Sequence, residues 1–234
     1  MTREQLLAAG FELSEAEHAR LARFVALLLD ENTRLNLTGT RTADELWPRH
    51  ICDSLALLPL IGEWQPQRVL DLGTGGGLPG LPLACVCPEI QVTLLDSTQK
   101  KLAALGRIIA ALELANVRCL WGRAELLAHE PAEREKYDAV IARALGPLRV
   151  SLEYAAGFVK PGGAAWFYLS ERGAAEELEP ATNAANRCRL TLRETRVYTL
   201  PDPHGTRVFA VYHKDRPLLP SLPRRSGNIR IKPL

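Results

Sequence analysis

A glycine-rich segment from Val69 to Gly80 carries the strongest chemical signal in this sequence. It reads Val-Leu-Asp-Leu-Gly-Thr-Gly-Gly-Gly-Leu-Pro-Gly, directly after a short apolar run and before a helical pattern. Glycines at a strand-to-helix turn let the backbone approach a ligand closely and present N–H groups to it. The segment therefore predicts a turn that holds a ligand, in preference to a tight turn without one.

Three kinds of ligand compete for this turn. A phosphate-binding P-loop ends in Gly-Lys-Ser/Thr, and this segment continues instead as Leu-Pro-Gly-Leu. Gly75, Gly77 and Gly80 match the spacing of a dinucleotide site, but Asp71 ends the strand, and a carboxylate disfavours a nearby pyrophosphate. S-adenosylmethionine carries an ammonium group and a sulfonium, which an acid at the strand end suits. The segment therefore favours this methyl donor.

Charged residues follow three later strands of the predicted sheet. Asp96 comes 19 residues after Gly77, at the distance where an acid can bind ribose hydroxyls, and this role is favoured over that of a cap for the next helix. Gly122-Arg-Ala-Glu125 could read the edge of an adenine or simply begin a solvated helix. Arg143 ends the fourth strand, where open α/β sheets place their ligands, so we expect its side chain to face the cleft.

The elements that must position these residues alternate from Arg68 onward, which is typical of an α/β fold with a parallel sheet. The predicted strands of this region are Val69–Leu72, Val92–Leu95, Val117–Trp121, Tyr137–Ala142 and Ala164–Leu169. The predicted helices are Leu78–Cys87, Thr98–Leu114, Ala124–Ala128, Leu148–Phe158 and Ala174–Asn186. Two further strands, Leu190–Leu200 and Arg207–Tyr212, flank a turn-rich segment and are expected to form an antiparallel hairpin.

The first 60 or so residues read as helices. Ser14 and Glu17 form a capping box, and apolar residues at helical spacing follow at Leu21, Phe24, Val25, Leu28 and Leu29. The stretch 32–39 breaks this periodicity and is predicted as a loop. A second helical segment is predicted from about Asp44 to Pro59.

Composition is that of an ordinary globular protein: 234 residues, 47% hydrophobic, 24% charged and a formal net charge of +2. The segment from Arg216 onward is Pro- and Arg-rich, has basic and no acidic residues, and suggests an extended tail that meets a polyanion. The five cysteines form no Cys-x-x-Cys pair, so we expect no metal site and a reducing compartment. The sequence lacks the long apolar runs of a signal peptide or membrane span, which predicts a cytoplasmic protein that binds no membrane.

Six motifs occur here in an order that resembles the bacterial ribosomal RNA small-subunit methyltransferase G family, also called glucose-inhibited division protein B. They are Asn36-Leu-Thr38, Arg49-His50-x-x-Asp53-Ser54, the Asp71–Gly80 turn, Leu95-Asp96-Ser97, Arg123-x-Glu125 and Ile141-Ala-Arg143-Ala144. The resemblance covers nearly the whole chain. It implies an N-terminal helical extension (1–62), a Rossmann-like class I methyltransferase domain (63–215) and a basic C-terminal tail (216–234).

The family resemblance also implies the reaction, which is methyl transfer from S-adenosylmethionine to N7 of a guanine in 16S ribosomal RNA. The residues that resemble the donor-binding set are Gly73, Gly75, Leu78, Asp96, Ala124, Glu125 and Arg143. One position departs from the family pattern: Gly76 stands where a proline is common. A basic tail occurs in some members of the family only, so the resemblance says least about the role of this segment.

Guanine N7 carries a lone pair and no proton, so in-line transfer needs alignment and no general base. No catalytic side chain is therefore assigned. Arg123 and Arg143 are expected to orient the base or offset phosphate charge, through O6 or phosphate rather than N7. His50, Asp53 and Ser54 could suggest a catalytic triad, but their helical spacing favours a hydrogen-bonded cluster that docks the N-terminal helices.

The substrate RNA is expected to meet a basic rim, within which Arg49, Lys100, Arg123 and Arg143 are the predicted RNA contacts. The rim is completed by Arg41, Lys101, Arg107 and the tail. We expect a monomer acting on 16S RNA, either free or in an assembling subunit. Three rival functions remain: a methyltransferase for a small molecule or protein, a nicotinamide oxidoreductase, and a binding protein that moves no methyl group.

Overall fold

A seven-stranded sheet forms the centre of the computed structural model, which describes residues 1–225 and 228–234. The strand order is β3-β2-β1-β4-β5-β7-β6, and β7 runs antiparallel to both of its neighbours. The strands are β1 (Arg68–Leu72), β2 (Gln91–Asp96), β3 (Val117–Trp121), β4 (Tyr137–Arg143), β5 (Val159–Ser170), β6 (Leu190–Thr199) and β7 (Thr206–Lys214). The predicted parallel sheet with a C-terminal antiparallel hairpin is therefore confirmed.

Helices of 4 to 18 residues precede the sheet and connect its strands. Those before the sheet are α1 (Arg3–Ala8), α2 (Glu15–Asn32), α3 (Ala43–Leu46), α4 (Cys52–Leu55) and α5 (Leu58–Trp64), with a wide π-helical turn over Trp47–Ile51. Those after β1 are α6 (Gly80–Val86), α7 (Gln99–Ala111), α8 (Ala124–Leu127), α9 (Leu148–Ala156), α10 (Glu171–Glu177), α11 (Thr182–Arg187) and α12 (Asn228–Ile231).

Two of the predicted helices are interrupted, each at or beside a proline. The segment predicted from Asp44 to Pro59 contains the π-helical turn, with Pro48 inside it, and a break between α4 and α5. The helix predicted over Ala174–Asn186 is two helices with Pro180 in the turn between them. Proline has no N–H to donate and crowds the preceding turn, so the helical ladder cannot continue regularly through it.

The capping box before α2 has the predicted geometry. The Glu17 amide donates to Ser14 Oγ at 3.3 Å, and Glu17 Oε2 accepts from the Ser14 amide at 2.7 Å. The apolar face of α2 is buried at Leu21, Phe24 and Leu28. These residues pack with one face of the sheet, so the N-terminal helices share a core with the sheet.

The two faces of the sheet are covered by different parts of the chain. Val69 of β1 belongs to the core that the N-terminal helices, α6 and α7 cover, whereas the next residue, Leu70, faces the opposite core. That second core contains α9 and α11. Leu218, Leu222 and Ile229 of the C-terminal segment also belong to it, so this segment packs against the body of the protein.

The packing of the C-terminal segment corrects the prediction of an extended basic tail. Arg224 forms an ion pair with Glu153 of α9, whose carboxylate is fully buried, with 2.6 Å between Nη2 and Oε2. Arg134 holds the same segment by donating to the carbonyl oxygens of Leu218 and Leu222. Residues 226 and 227 of the predicted tail lie outside the described part of the chain.

The strand order reverses between β1 and β4, which lie side by side while their connections leave in opposite directions. A crevice forms at the carboxyl ends of the strands at such a reversal point. The candidate site residues of the sequence follow the ends of β1, β2, β3 and β4. The topology therefore brings them to one edge of the sheet.

Candidate functional site

The glycine-rich turn between β1 and α6 is held from beneath by Asp71. Oδ2 of Asp71 accepts hydrogen bonds from Thr74 Oγ1 at 2.6 Å and from the Gly80 amide at 2.9 Å. A Cβ at Gly80 would lie 2.8 Å from this oxygen and would also overlap the Leu94 side chain. Glycine at position 80 therefore allows the turn to close on the carboxylate.

Asp71 does not reach the cleft, which corrects the expectation that it faces the cation of the ligand. Its exposed fraction is 1%, and this burial raises the pKa of its carboxyl from 3.8 to about 6. The hydrogen bonds from Thr74 and Gly80 and the positive charge of Arg143 oppose that rise. Asp71 therefore shapes the turn and acts on a ligand only through it.

Asp96 at the end of β2 holds the other side of the turn. Its Oδ2 accepts from the Gly75 amide at 3.0 Å, and its Oδ1 accepts from the amide of Thr98, the residue before α7, at 2.8 Å. Both expected roles of this acid are compatible, because each carboxylate oxygen can accept a second hydrogen bond. Asp96 also lines the cleft, where ribose hydroxyls could donate to it.

These contacts distinguish between the ligands that the glycine spacing allowed. A dinucleotide site uses the amides of its glycine turn to hold the pyrophosphate. Here the Gly75 and Gly80 amides already donate to the carboxylates of Asp96 and Asp71. A pyrophosphate would lose these donors and meet the carboxylate of Asp96, so the turn fits a cationic ligand better.

A cleft opens at the carboxyl ends of β1 to β4. Four of the predicted donor-binding residues line it, namely Gly73, Asp96, Ala124 and Glu125. The other lining residues are Leu72, Leu95, Ser97, Gly122, Arg123, Ala144, Leu145 and Tyr154. Gly73 has a φ of +77°, and a Cβ there would lie 2.5 Å from Leu145 Cδ1. Glycine at position 73 therefore allows the backbone to lie close to the Leu145 side chain.

The chemistry of the lining fits S-adenosylmethionine. Asp96 provides oxygens for ribose hydroxyls, and Glu125, 4% exposed, provides a carboxylate that can accept from an adenine amino group. Leu72, Leu95 and Leu145 supply apolar surface for the flat base. Two acids and no phosphate-binding glycine amides are what a cationic nucleoside requires of its site.

Three residues of the predicted donor-binding set contribute differently. The amide of Gly75 is bound by Asp96, and Leu78 is buried within the turn. Arg143 sits beside the cleft residue Ala144, and its guanidinium pairs with Asp53, with 2.9 Å between Nη1 and Oδ2. Direct contact of these three residues with the donor stays a prediction.

The N-terminal extension packs against the glycine-rich turn. Asn32 fixes the loop after α2, because its Oδ1 accepts from the amides of Leu37 and Thr38. A Cβ at Gly76 would lie 2.9 Å from the Leu37 carbonyl oxygen. The loop that contains Leu37 therefore occupies the space that a side chain at position 76, where the family pattern commonly has proline, would need.

His50, Asp53 and Ser54 do not form a triad. Ser54 Oγ donates to the carbonyl oxygen of His50 at 2.6 Å rather than to its ring, and Asp53 pairs with Arg143. The ring Nε2 of His50 lies 3.0 Å from Thr40 Oγ1. Burial, together with the charges of Arg143 and Arg49, lowers the pKa of His50 to about 3. Asp53 connects the N-terminal helices to the sheet through Arg143 and Tyr198, as the docking interpretation expects. His50 and Ser54 instead form hydrogen bonds within the N-terminal extension.

The residues of the predicted basic rim differ in whether an acidic side chain binds them. Arg49, Lys100 and Arg123 are exposed. Arg107 is exposed as well, but it binds Glu31 through two hydrogen bonds, of 2.7 and 2.6 Å. Like Arg224, it is neutralised by its partner and offers RNA less charge than its residue type predicts.

Sequence patterns did not identify several residues of the site. Ser97 and Leu145 directly follow predicted residues, so proximity in sequence could have indicated them. Tyr154 enters the cleft from α9, and Tyr198 of β6 donates from its hydroxyl to Asp53 Oδ1 at 2.6 Å. The last two depend on tertiary packing, which the local sequence does not encode.

The described residues contain no group of three or more His, Cys, Asp or Glu side chains arranged to hold a metal ion. Within the same part of the chain, every helix is too short or too polar to cross a membrane.

Comparison with known proteins identifies the family. A family model described as rRNA small subunit methyltransferase G matches residues 17–203. The ribosomal RNA small subunit methyltransferase G of Deinococcus radiodurans is 39% identical over 230 residues, covering 96% of this chain and 88% of that protein. The protein of the same name from Moorella thermoacetica is 34% identical over 241 residues, covering 99% of this chain and 98% of that protein.

The fold also matches solved structures. A crystal structure from Klebsiella pneumoniae, provisionally assigned as an O-methyltransferase, superposes with a TM-score of 0.57 over 91% of this chain and 96% of that one. At 16% identity, this similarity shows the fold alone. The family model and the full-length relatives carry the assignment further: the chain belongs to the rRNA small subunit methyltransferase G family.

Proposed function

We propose that this protein transfers the methyl group of S-adenosylmethionine to N7 of a guanine in 16S ribosomal RNA. The observation that carries the proposal is the family match over residues 17–203, which include the whole cleft and the loop packed on its glycine-rich turn. The lining chemistry supports the same donor, since two carboxylates face the cleft and the Gly75 and Gly80 amides donate to acids.

S-adenosylmethionine, when bound, supplies an electrophilic methyl group on a positively charged sulfur. The protein has to bind this donor, exclude water from the methyl group and align the guanine with it. Asp96 and Glu125 bind the nucleoside part, and Leu145 and Tyr154 close the cleft with apolar surface. N7 carries no proton, so His50, whose pKa is lowered to about 3, need not act as a base.

Arginine side chains orient the acceptor in this proposal. Arg123 lines the cleft, and Arg143 ends the strand beside it. A guanidinium can stack on a base or donate to O6 and to phosphate. A bond donated to N7 would occupy the lone pair that attacks the methyl carbon, so O6 and phosphate are the productive contacts.

An RNA-binding rim surrounds the cleft in this proposal. Lys100 and Arg123 are exposed near the ends of β2 and β3. Trp121, which ends β3, has an exposed fraction of 59%, and its indole N–H donates to the Ser97 carbonyl oxygen at 3.2 Å. An exposed, oriented indole can stack with an unpaired base. N7 lies in a deep groove of duplex RNA, so the target guanine has to be unpaired or splayed out.

The proposal extends to the setting of the reaction. We infer that the protein acts as a monomer in the bacterial cytoplasm, where ribosomal subunits are assembled. The substrate is 16S RNA, and presentation by a small subunit would hold the target guanine unpaired. Light scattering of the purified protein tests whether it is a monomer. Parallel reactions with naked 16S RNA and with small subunits identify the better substrate.

Donor binding and methyl transfer together test the proposal. Calorimetry with S-adenosylmethionine and with NAD measures which ligand the cleft takes. Radiolabelled methyl transfer to 16S RNA lacking the modification, followed by cleavage at 7-methylguanine, locates the product. We expect binding of the methyl donor alone and a label at a single guanine N7. Donor binding without any label in RNA or subunits would refute the acceptor, and failure to bind the donor would refute the cleft assignment.

A further inference from the structure

Arg143 is fixed by two residues from distant parts of the chain. Its Nη1 donates to Oδ2 of Asp53, and the Tyr198 hydroxyl donates to the other oxygen of the same carboxylate at 2.6 Å. Asp53 lies in α4, 90 residues before Arg143 of β4 and 145 residues before Tyr198 of β6. The N-terminal extension, the fourth strand and the C-terminal hairpin therefore meet at this one carboxylate.

The Asp53 carboxylate and its surroundings are largely buried from solvent. The side chains of Asp53 and Arg143 are 8% and 16% exposed. Tyr168 packs beside them, and its buried hydroxyl finds no hydrogen-bond partner within the described residues. Burial and the Asp53 charge raise the pKa of Tyr198, so its hydroxyl keeps its proton and donates. An ion pair in such surroundings is screened little by solvent.

The ion pair leaves most of the guanidinium free. An arginine side chain has five N–H donors. Within residues 1–225 and 228–234, the Asp53 contact at Nη1 is the hydrogen bond that the structure records for Arg143. Arg143 is the last residue of β4 and directly precedes the cleft residues Ala144 and Leu145. Arg143 is thus anchored at one nitrogen and able to bind a second partner.

We propose that Asp53 and Tyr198 are positioning residues, which hold Arg143 so that its free N–H groups meet the O6 atom or phosphate of the acceptor guanine. This inference rests on the proposed methyl transfer to guanine N7. A free arginine side chain loses rotamer entropy when it is fixed. The Asp53 carboxylate fixes it before the RNA arrives, so less of that cost falls on the transfer step.

Replacing Asp53 by asparagine tests the anchor. The amide keeps the size and one acceptor oxygen of the carboxylate but removes the charge that holds Arg143. We expect Asp53→Asn to lower kcat about 10- to 100-fold, because small misplacements of an orienting group cost this much. Donor affinity, measured by calorimetry, should change less than about twofold, since Asp53 lies outside the residues that line the cleft.

Tyr198→Phe is a milder second variant, which removes one hydroxyl and leaves the ion pair. We expect it to lower kcat several-fold while the fold stays intact. Glu63→Gln is the matched control. Glu63 of α5 pairs with Arg196 of β6 at 2.7 and 2.5 Å, so it also joins the N-terminal extension to β6, but at an exposed position. It should leave kcat unchanged.

A double-variant comparison separates positioning from a merely structural role. Arg143→Lys keeps a cation for the buried carboxylate but loses the planar fork. If Asp53 acts through Arg143, adding Asp53→Asn to Arg143→Lys should lower kcat by less than twofold further. Full additivity of the two effects would overturn the proposal. So would a wild-type kcat in Asp53→Asn, or a loss of kcat that only follows lost stability in urea.

The wild-type reaction keeps the two proposals distinguishable. A wild-type protein that methylates guanine N7, with Asp53→Asn and Tyr198→Phe equally fast, would overturn the positioning role and leave the proposed function standing. A wild-type protein that binds the donor but methylates no RNA would overturn both.

Discussion

Replacing Gly80 by alanine probes how the glycine-rich turn is held against the end of β1. Gly80 is the first residue of α6, and its amide donates to the buried Asp71 carboxylate. An added Cβ would lie 2.8 Å from Asp71 Oδ2 and 3.0 Å from Asp71 Cβ. Because the carboxylate is packed on all sides, the new methyl group has to displace Asp71 and, through it, Thr74.

The expected change in the free energy of unfolding combines one stabilising contribution with two destabilising ones. Alanine is favoured over glycine in a helix by roughly 0.5–1 kcal/mol. Forcing a methyl group into a packed interior costs about 1–3 kcal/mol, and weakening the bonds to a buried carboxylate adds about 1–3 kcal/mol. We therefore expect Gly80→Ala to lower the free energy of unfolding by about 2 kcal/mol or more. For a protein of this size that corresponds to a fall in Tm of roughly 4–8 °C.

Gly106→Ala is the matched control, since it makes the same chemical change inside α7. A Cβ at Gly106 would have nothing within 4 Å. Only the helix preference applies there, so this variant should gain roughly 0.5–1 kcal/mol. It should bind S-adenosylmethionine as the wild type does.

Urea unfolding and calorimetry with S-adenosylmethionine measure both effects. The Gly80→Ala variant should bind the donor at least about tenfold more weakly, a difference of about 1.4 kcal/mol, because the turn that carries Gly73 and Gly75 shifts with Thr74. Wild-type stability and wild-type donor affinity in Gly80→Ala would refute the argument that Asp71 holds the turn. Equal effects of the two variants would refute it as well.

Further predictions concern the acids of the site and the RNA-binding rim. Asp96→Asn should weaken binding of S-adenosylmethionine at least about tenfold in calorimetry, because it removes the charge and an acceptor oxygen from the ribose contact; unchanged affinity would remove Asp96 from the donor site. Burial raises the pKa of Asp71 from 3.8 to about 6, so the native state retains this proton more tightly than the unfolded state. The unfolding free energy of the wild type minus that of Asp71→Asn should therefore fall as pH rises from about 4 to about 6 and level off above, and a difference independent of pH would contradict the burial argument. Lys100→Gln and Arg123→Gln should each reduce the salt dependence of RNA binding by roughly one counterion, whereas Lys136→Gln, at the opposite edge of the sheet, should not; a shared response would place the RNA elsewhere.

Local patterns predicted the sheet well because its signals lie within each strand. β3 spans Val117–Trp121 as predicted, β1 begins one residue earlier than predicted, and β2 is one residue longer than predicted at each end. Helices were predicted less well where proline interrupts them, at Pro48 and Pro180. An apolar periodicity shows that a helix is amphipathic but does not show where its hydrogen-bond ladder changes.

The site was predicted in part, since residues that follow strands meet at one edge once the topology is known. Gly73, Asp96, Ala124 and Glu125 line one cleft for that reason. The partner of Arg143 could not be read from the sequence, because Asp53 lies 90 residues away and belongs to another layer of the fold. Arg224 shows the same limit: its basic residue type suggested RNA, but Glu153, an acid inside the apolar stretch of α9, binds it.

Mass spectrometry of nucleosides from 16S RNA tests the central claim most directly. The protein is incubated with trideuteromethyl-labelled S-adenosylmethionine and with small subunits whose RNA lacks the modification. Transfer to N7 of one guanine predicts labelled 7-methylguanosine at about one per RNA molecule, formed more slowly by Asp96→Asn at a subsaturating donor concentration. The same label in any other nucleoside, or none while the donor binds, would contradict the assignment of the acceptor.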